Sequence, residues 1–223
     1  MPETKLGLAA IREHLRQYLW LYIIGIALAM VFTNLLWTVT EPRVPNDRAV
    51  VICLAGDMSD SAALSDIAGR MLERLQAEGA RVDSVEFQDV SFPSSLADYT
   101  GPLILRARLD SGEPDAFLAS APAMAALTES GDLMPPETLT VDGRAPAFGL
   151  EPCYAELPDD LTGRTVRVQT GWRLDPVDAL MTLGAFDNRG AFLAVTSVGG
   201  NPETTARALE IMMEELAGRA TRE

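Results

Sequence analysis

The amino-acid sequence predicts an α/β fold with a mainly parallel sheet and helices on both faces, preceded by one transmembrane helix. Three observations support this prediction. Residues 18–39 form an apolar run without an ionisable side chain. Residues 49–54 form a continuous run rich in valine and isoleucine, which is typical of a strand covered on both faces. Helix-like and strand-like segments then alternate, as they do in α/β proteins.

The apolar run from Tyr18 to Val39 is 22 residues long. At the rise of an α-helix this length matches the hydrocarbon core of a bilayer, which is roughly 30 Å thick. Trp20 and Trp37 stand near its two ends, where interfacial aromatic residues are expected. We therefore expect residues 18–39 to cross the lipid bilayer as a single helix.

The sequence around this run predicts an orientation and a division into segments. Lys5, Arg12 and Arg16 precede the run, so the positive-inside rule places the amino terminus in the cytoplasm of a single-pass protein of the cell membrane. The run is longer than the core of a signal peptide and is followed by no small-x-small cleavage pattern. The expected segments are a cytoplasmic tail, the span, a stalk and an extracytoplasmic α/β domain, at residues 1–17, 18–39, 40–48 and 49–223.

The composition excludes several classes of function. The chain has 32 acidic and 18 basic residues and a formal net charge of −14, so we expect no nucleic-acid partner. The single histidine, His14, precedes the span, so the domain has no imidazole for a catalytic triad or a metal site. We therefore expect no catalysis and no cofactor.

The first part of the domain has a strand, helix, strand pattern. Residues 49–54 are the first strand, and residues 64–75 repeat apolar side chains at helical spacing. Asp60 or Ser61 is placed to cap that helix. Residues 81–87 alternate as the next strand does, and strand, helix, strand with short turns predicts a parallel crossover.

The remaining elements follow from turn and capping residues. Gly131 is expected to end the helix that begins after Ser120, and residues 133–160 are expected to connect the two halves of the domain, with a strand at 147–150. The other expected helices lie at 103–109, at 176–183 and from 202 onward, and the other expected strands at 115–119, 165–169 and 191–196.

Two stretches resemble extracytoplasmic solute-binding proteins. Residues 105–118, LRARLDSGEPDAFL, have that family's helix, Gly-x-x-Asp turn and short strand, and residues 126–135, ALTESGDLMP, have its helix closed by Gly-x-Leu before proline. Phe148-Gly149-Leu150 is similar to the family's crossing strand between lobes. The chain also resembles single-span proteins of Gram-positive bacteria that carry reduced versions of this domain. The resemblance implies a periplasmic-binding-protein-like fold and non-catalytic binding of a small solute or a peptide.

Ligands of open α/β sheets bind at the carboxyl ends of the strands, so the turns at those ends contain the candidate binding residues. Trp172 is a further candidate because its ring can stack on a sugar or a cation. The candidate ligand-binding residues are Gly56, Asp57, Gln88, Asp89, Ser120 and Trp172.

A metal site is an alternative hypothesis for the first of these turns. Asp57, Ser59 and Ser61 fit the Asp-x-Ser-x-Ser pattern with which von Willebrand A domains hold Mg²⁺ or Ca²⁺. Helix capping by Asp60 and the serines explains the same residues without a metal.

Two questions stay open at this stage. Cys53 and Cys153 form a disulfide or remain free thiols. The domain binds a solute or peptide, assembles with a membrane-protein partner through its acidic surface, or acts as a metal-dependent adhesion module.

Overall fold

The computed structural model describes residues 8–40, 45–57, 59–92, 100–158 and 165–220. The chain divides into two units, Met1–Arg43 and Val44–Glu223. Residues 1–7 of the expected tail, residues 41–44 of the expected stalk and Met58 of the candidate metal turn lie outside the described residues.

The first unit contains one helix, α1, from Leu8 to Thr40. Its segment Arg16–Trp37 is long and apolar enough to cross a membrane, and none of that segment is buried. Trp20 and Trp37 have 76% and 70% of their surface exposed. The expected apolar helix is thus present, with a length and composition that fit a bilayer.

The second unit is one six-stranded sheet with helices on both faces. Its strands lie in the order β2-β1-β3-β6-β5-β4. The strands are β1 Ala49–Gly56, β2 Ser84–Ser91, β3 Ala116–Ala119, β4 Pro152–Pro158, β5 Thr165–Arg173 and β6 Phe192–Val195. The helices are α2 Ser65–Ala77, α3 Thr100–Ser111, α4 Ala121–Ser130, α5 Asp178–Thr182 and α6 Pro202–Ala220, with short 3-10 turns at Asn46–Arg48, Ser61–Leu64 and Pro136–Thr138.

The expectation of a mainly parallel sheet is wrong, because the sheet is mixed. β1 pairs in parallel with β2 and with β3. The pairs β3 with β6, β6 with β5 and β5 with β4 are antiparallel. The helical crossovers α2 and α3 allow parallel strands in the first half. The short connection between β4 and β5 permits only antiparallel neighbours.

Both faces of the sheet are buried, each against its own helices. Val50, Ile52 and Leu54 of β1 enter one core with residues of α2, α5 and α6. Val51, Cys53 and Ala55 of β1 enter the other core with residues of α3 and α4. Because successive strand residues point to opposite faces, an entirely apolar strand requires cover on both sides. The predicted helices on both faces are therefore confirmed.

Most predicted elements are found, and the errors fall in the polar segments. β1, β3 and β6 lie where the apolar runs placed them. β2 begins three residues later than expected, at Ser84, because residues 81–83 belong to the turn after α2. The connection at 133–160 contains strand β4, which the sequence analysis missed, whereas the strand expected at 147–150 is irregular.

A buried carboxylate fastens the irregular residues 144–147 to α6. Glu210 is only 3% exposed and accepts hydrogen bonds from Arg144 (2.6 Å), Arg207 (2.9 Å) and the backbone N–H of Ala147 (2.7 Å). Burial by itself raises the pKa of Glu210, but these hydrogen bonds outweigh it and lower the pKa to about 2. The ionised form therefore stabilises the fold.

We expect Glu210→Gln to lower the free energy of unfolding at neutral pH by about 2 to 3 kcal/mol, because the folded-state pKa lies below the unfolded one. This contribution is complete above the unfolded pKa of 4.5 and is lost as pH falls through the folded pKa of about 2. Calorimetry of the full chain in detergent micelles at a series of pH values measures it. Glu151→Gln, at an exposed position, is the control. A wild-type to variant difference that does not shrink on acidification contradicts the prediction.

Candidate functional site

A phenylalanine covers the turn after β1. Gly56 ends β1, and a Cβ at this position would lie 2.9 Å from the ring of Phe186. Phe186 is itself 3% exposed and its backbone bridges Ser59. Gly56 is therefore required for close packing of an aromatic ring, and its surface is not open to a ligand in this structure.

The polar residues of the neighbouring turns bind each other. Asp89, at the end of β2, accepts hydrogen bonds from the backbone N–H (3.0 Å) and the hydroxyl (2.7 Å) of Ser61. Asp60 accepts one from the backbone N–H of Ala62 and caps the 3-10 turn that leads into α2. The structure thus brings Asp89 and Ser61 together, as the side chains that hold the start of α2 against β2.

These contacts bear on the metal hypothesis for Asp57, Ser59 and Ser61. The Ser61 hydroxyl already donates to a carboxylate, and Ser59 lies in the bridge with Phe186. Within the described part of the chain, no group of three or more carboxylate, thiol or imidazole side chains has a geometry that suits a metal ion. The structure therefore supports capping by Asp60, whereas Ser61 is bonded to Asp89.

The other candidate residues lie apart from this cluster. Gln88 accepts a hydrogen bond from Arg108 of α3 at 2.8 Å. Ser120 lies beside the end of β1, because its backbone N–H donates to the carbonyl of Ala55. Trp172, on β5, is 8% exposed and packs edge-to-face on Phe148 with ring centroids 4.7 Å apart. Its indole is thus part of the core, not a stacking platform.

The two cysteines are free. Cys53 is on β1 and Cys153 on β4, with three strands between them. Four strand spacings correspond to about 19 Å, far beyond the Cα separation of a disulfide, which is at most about 7 Å. Burial raises the pKa of Cys53 to about 12, so its thiol stays protonated and acts as a small apolar side chain.

Asp115 is a buried carboxylate that the sequence analysis did not select as a candidate. It is 3% exposed and accepts hydrogen bonds from the backbone N–H groups of Val51 (2.8 Å) and Gly200 (3.2 Å). Burial raises its pKa to about 6 although these donors oppose the shift. The side chain joins β1 to the loop before α6 at the amino end of β3, so its role is structural.

An open groove of about 460 Å³ lies between α2 and β2. Small side chains of the first turns of α2 form one wall, and residues 83–87 form the other. β2 is the outermost strand of the sheet and pairs with β1 alone among the described strands. The lining includes Ser65, Ala68, Gly69, Leu72, Ser84 and Glu86.

A signal for the groove exists in the sequence but was not recognised. Ser65, Gly69 and Leu72 recur at helical spacing next to the apolar face of α2, and two of them are small. Small residues on a helix face beside an edge strand leave an open space between the helix and the strand, which larger side chains at the same positions would fill. The sequence of β2 alone does not show that this strand lies at the edge of the sheet. Its position there depends on β3, which pairs with the other side of β1.

No protein-family model, curated protein or solved structure matches the chain significantly. The resemblance to extracytoplasmic solute-binding proteins therefore stays a prediction from short motifs, and the function is inferred from the geometry of the domain.

We expect Asp89→Ala to lower the free energy of unfolding by about 1 kcal/mol. The substitution removes the carboxylate that accepts hydrogen bonds from the backbone N–H and the hydroxyl of Ser61. The loss is the same in chelator and in excess Ca²⁺ or Mg²⁺ if Asp89 acts only through Ser61. Thermal unfolding of the full chain in detergent micelles measures both effects. The opposite result would be a thermal midpoint that chelator lowers in the wild type and does not change in Asp57→Ala. That result contradicts this prediction and supports the metal hypothesis.

Proposed function

We propose that the chain is a single-pass, membrane-anchored and non-catalytic binding domain whose ligand is a polypeptide. The observation that carries the proposal is the open groove beside the outermost strand β2. Peptide ligands commonly use such a strand edge, because their backbones can continue the sheet.

The membrane anchor in this proposal is the segment Arg16–Trp37 of α1. The basic residues Lys5, Arg12 and Arg16 support a cytoplasmic amino terminus, and the acidic domain is then extracytoplasmic. The anchor keeps the domain at the membrane, where its partner is the extracytoplasmic part of another protein or a secreted peptide.

The shape of the domain favours a polypeptide over a small solute. Small-molecule sites enclose most of the ligand surface, whereas the groove between α2 and β2 is an open trough. Trp172 and Gly56, which the solute hypothesis needs at the surface, face Phe148 and Phe186 instead. A trough along a strand suits a ligand that is itself extended.

The proposal includes no reaction. The groove is lined by hydroxyl, carboxylate and apolar side chains, without a histidine, cysteine or lysine to serve as base or nucleophile. Binding alone accounts for these residues.

Binding of linear peptides to the full chain in nanodiscs tests the proposal. A phage-displayed library of linear peptides should be enriched on nanodiscs that contain the chain and not on empty nanodiscs. Pools of amino acids, sugars and divalent cations should leave the thermal midpoint unchanged, because a native-state ligand raises it by mass action. Failure to enrich any peptide, together with a midpoint raised by one of the solutes, overturns the proposal in favour of solute capture.

A further inference from the structure

The hydrogen-bond ladder of β2 leaves alternate backbone groups pointing away from the sheet. The backbone N–H of Phe92 donates to the carbonyl of Gly56 at 3.1 Å and so extends the ladder between β1 and β2. A parallel ladder uses alternate residues of each strand, so the even-numbered residues of β2 bond β1. The N–H and C=O groups of Val85 and Phe87 therefore face outward, and no described residue hydrogen-bonds them.

These outward backbone groups lie beside the groove, since Val85 and Phe87 belong to its lining. The opposite wall has room for another chain. A Cβ added at Gly69 would find no atom within 4 Å, and the neighbouring Ala68 carries only a methyl group. A strand added to a sheet lies about 4.8 Å from its neighbour, so it would occupy the groove itself.

A buried hydroxyl in the groove is without a partner. The Oγ atom of Ser84 is inaccessible to solvent and has no hydrogen bond to any described residue. Buried polar atoms are normally paired, because an unpaired one costs about 1 to 3 kcal/mol. Because this oxygen is inaccessible to solvent, a bound chain does not reach it, and its unpaired state is a local cost to the fold.

The rim of the groove is acidic. Asp66 and Glu73 are exposed on α2, three residues before and four residues after Gly69, so they flank the groove on the helix side. Glu86 of β2 is exposed too, with its side chain on the other face of the strand, beside Gln88. The nearby cation Arg70 is held by Glu215 of α6 at 2.7 Å, and Arg48 pairs with Asp83 of the groove lining at 2.8 Å. Neither of these cations is directed to Asp66 or Glu73.

We propose that the groove between α2 and β2 binds an extended cationic segment of another polypeptide as a seventh strand paired with β2. This inference rests on the proposed function and adds to it the conformation and the charge of the ligand. The backbone of the segment bonds to Val85 and Phe87. At about 3.3 Å per residue, a segment of four or five residues covers residues 83–87.

Charge selects this occupant over a second copy of the chain. Two copies paired through β2 would bring Glu86, Asp66 and Glu73 of both copies to one interface, where like charges repel. The chain also carries a net charge of −14. A segment with lysine or arginine has the complementary charge.

The alternation of a strand defines the sequence of the ligand further. Every second side chain of the added strand points toward α2. There an aliphatic stem can lie on Ala68, Gly69 and Leu72 while its charged end reaches Asp66 or Glu73. Lysine or arginine at alternate positions therefore fits the groove.

The test uses the full chain in nanodiscs and a fluorescent eight-residue peptide of alternating lysine and threonine. Fluorescence anisotropy should show saturable binding that weakens with salt. The same peptide with glutamate in place of lysine should bind at least about tenfold more weakly, because charge complementarity is lost. Of two peptides N-methylated at alternate amides in the two registers, the one whose methyl groups face β2 should bind at least about tenfold more weakly and the other should not, because only alternate amides of a strand face its neighbour.

The matched pair Gly69→Leu and Gly218→Leu locates the site. Both glycines are in helices and a Cβ at either meets no atom within 4 Å, so both variants should fold. Gly69→Leu fills the groove and should weaken binding by about tenfold or more, whereas Gly218→Leu should bind as the wild type does. Circular dichroism and the thermal midpoint verify folding.

The outcomes separate this inference from the proposed function. Equal binding by Gly69→Leu and wild type overturns the groove as the site, although the chain still binds peptides. Binding that is indifferent to N-methylation overturns strand pairing. If the lysine peptide does not bind while library peptides without basic residues do, the cationic ligand is wrong and the proposed function stands. If no peptide of any kind binds, both fail.

Discussion

The domain depends on one constraint, the burial of both faces of β1. Residues Val50 to Gly56 are all buried, and alternate side chains enter opposite cores. The free energy of burial is available only if helices cover both faces, and α2 with α6 on one side and α3 with α4 on the other provide that cover. β2 and β3 satisfy the backbone of β1 from its two sides.

This arrangement places β2 at the margin of the sheet. β3 lies on the other side of β1 from β2, and β6, β5 and β4 follow β3 in the sheet. The strands of the second half therefore extend the sheet away from β2. An unpaired strand edge is a hazard, because it pairs with other edges. The carboxylates of Glu86 and Asp89 oppose pairing between copies. The same charges leave the edge open to a cationic strand, so protection from self-association and choice of ligand have one physical origin.

The sequence predicts the elements whose burial is simple. Three patterns each predict a single type of element, and all three elements are present. They are the uncharged run of α1, the apolar run of β1 and the amphipathic pattern of α2. β4 was missed because Pro152–Pro158 begins and ends with proline, a residue that a sheet admits only at its margin, where this strand lies. The parallel sheet was wrongly predicted because pairing direction is decided by contacts between distant segments.

The candidate site was harder to predict for the same reason. Asp89 of β2 and Ser61 of the 3-10 turn come together in the structure, where the carboxylate of one accepts the hydroxyl of the other. Gly56 and Trp172 have the residue types of a ligand site, whereas their neighbours Phe186 and Phe148 make them part of the core. The groove exists because no side chain of the described residues fills the space next to Gly69. That space can be recognised only when the order of the strands is known.

Amide hydrogen exchange of the free full chain in nanodiscs, resolved by residue along β2, measures directly whether the outer edge of this strand is free. The amides of Glu86 and Gln88 should exchange slowly, because the ladder directs them to β1. The amides of Val85 and Phe87 should exchange much faster, since they face the groove. Slow exchange at all four amides would contradict the account, because it would show that the edge of β2 is already occupied in the chain itself.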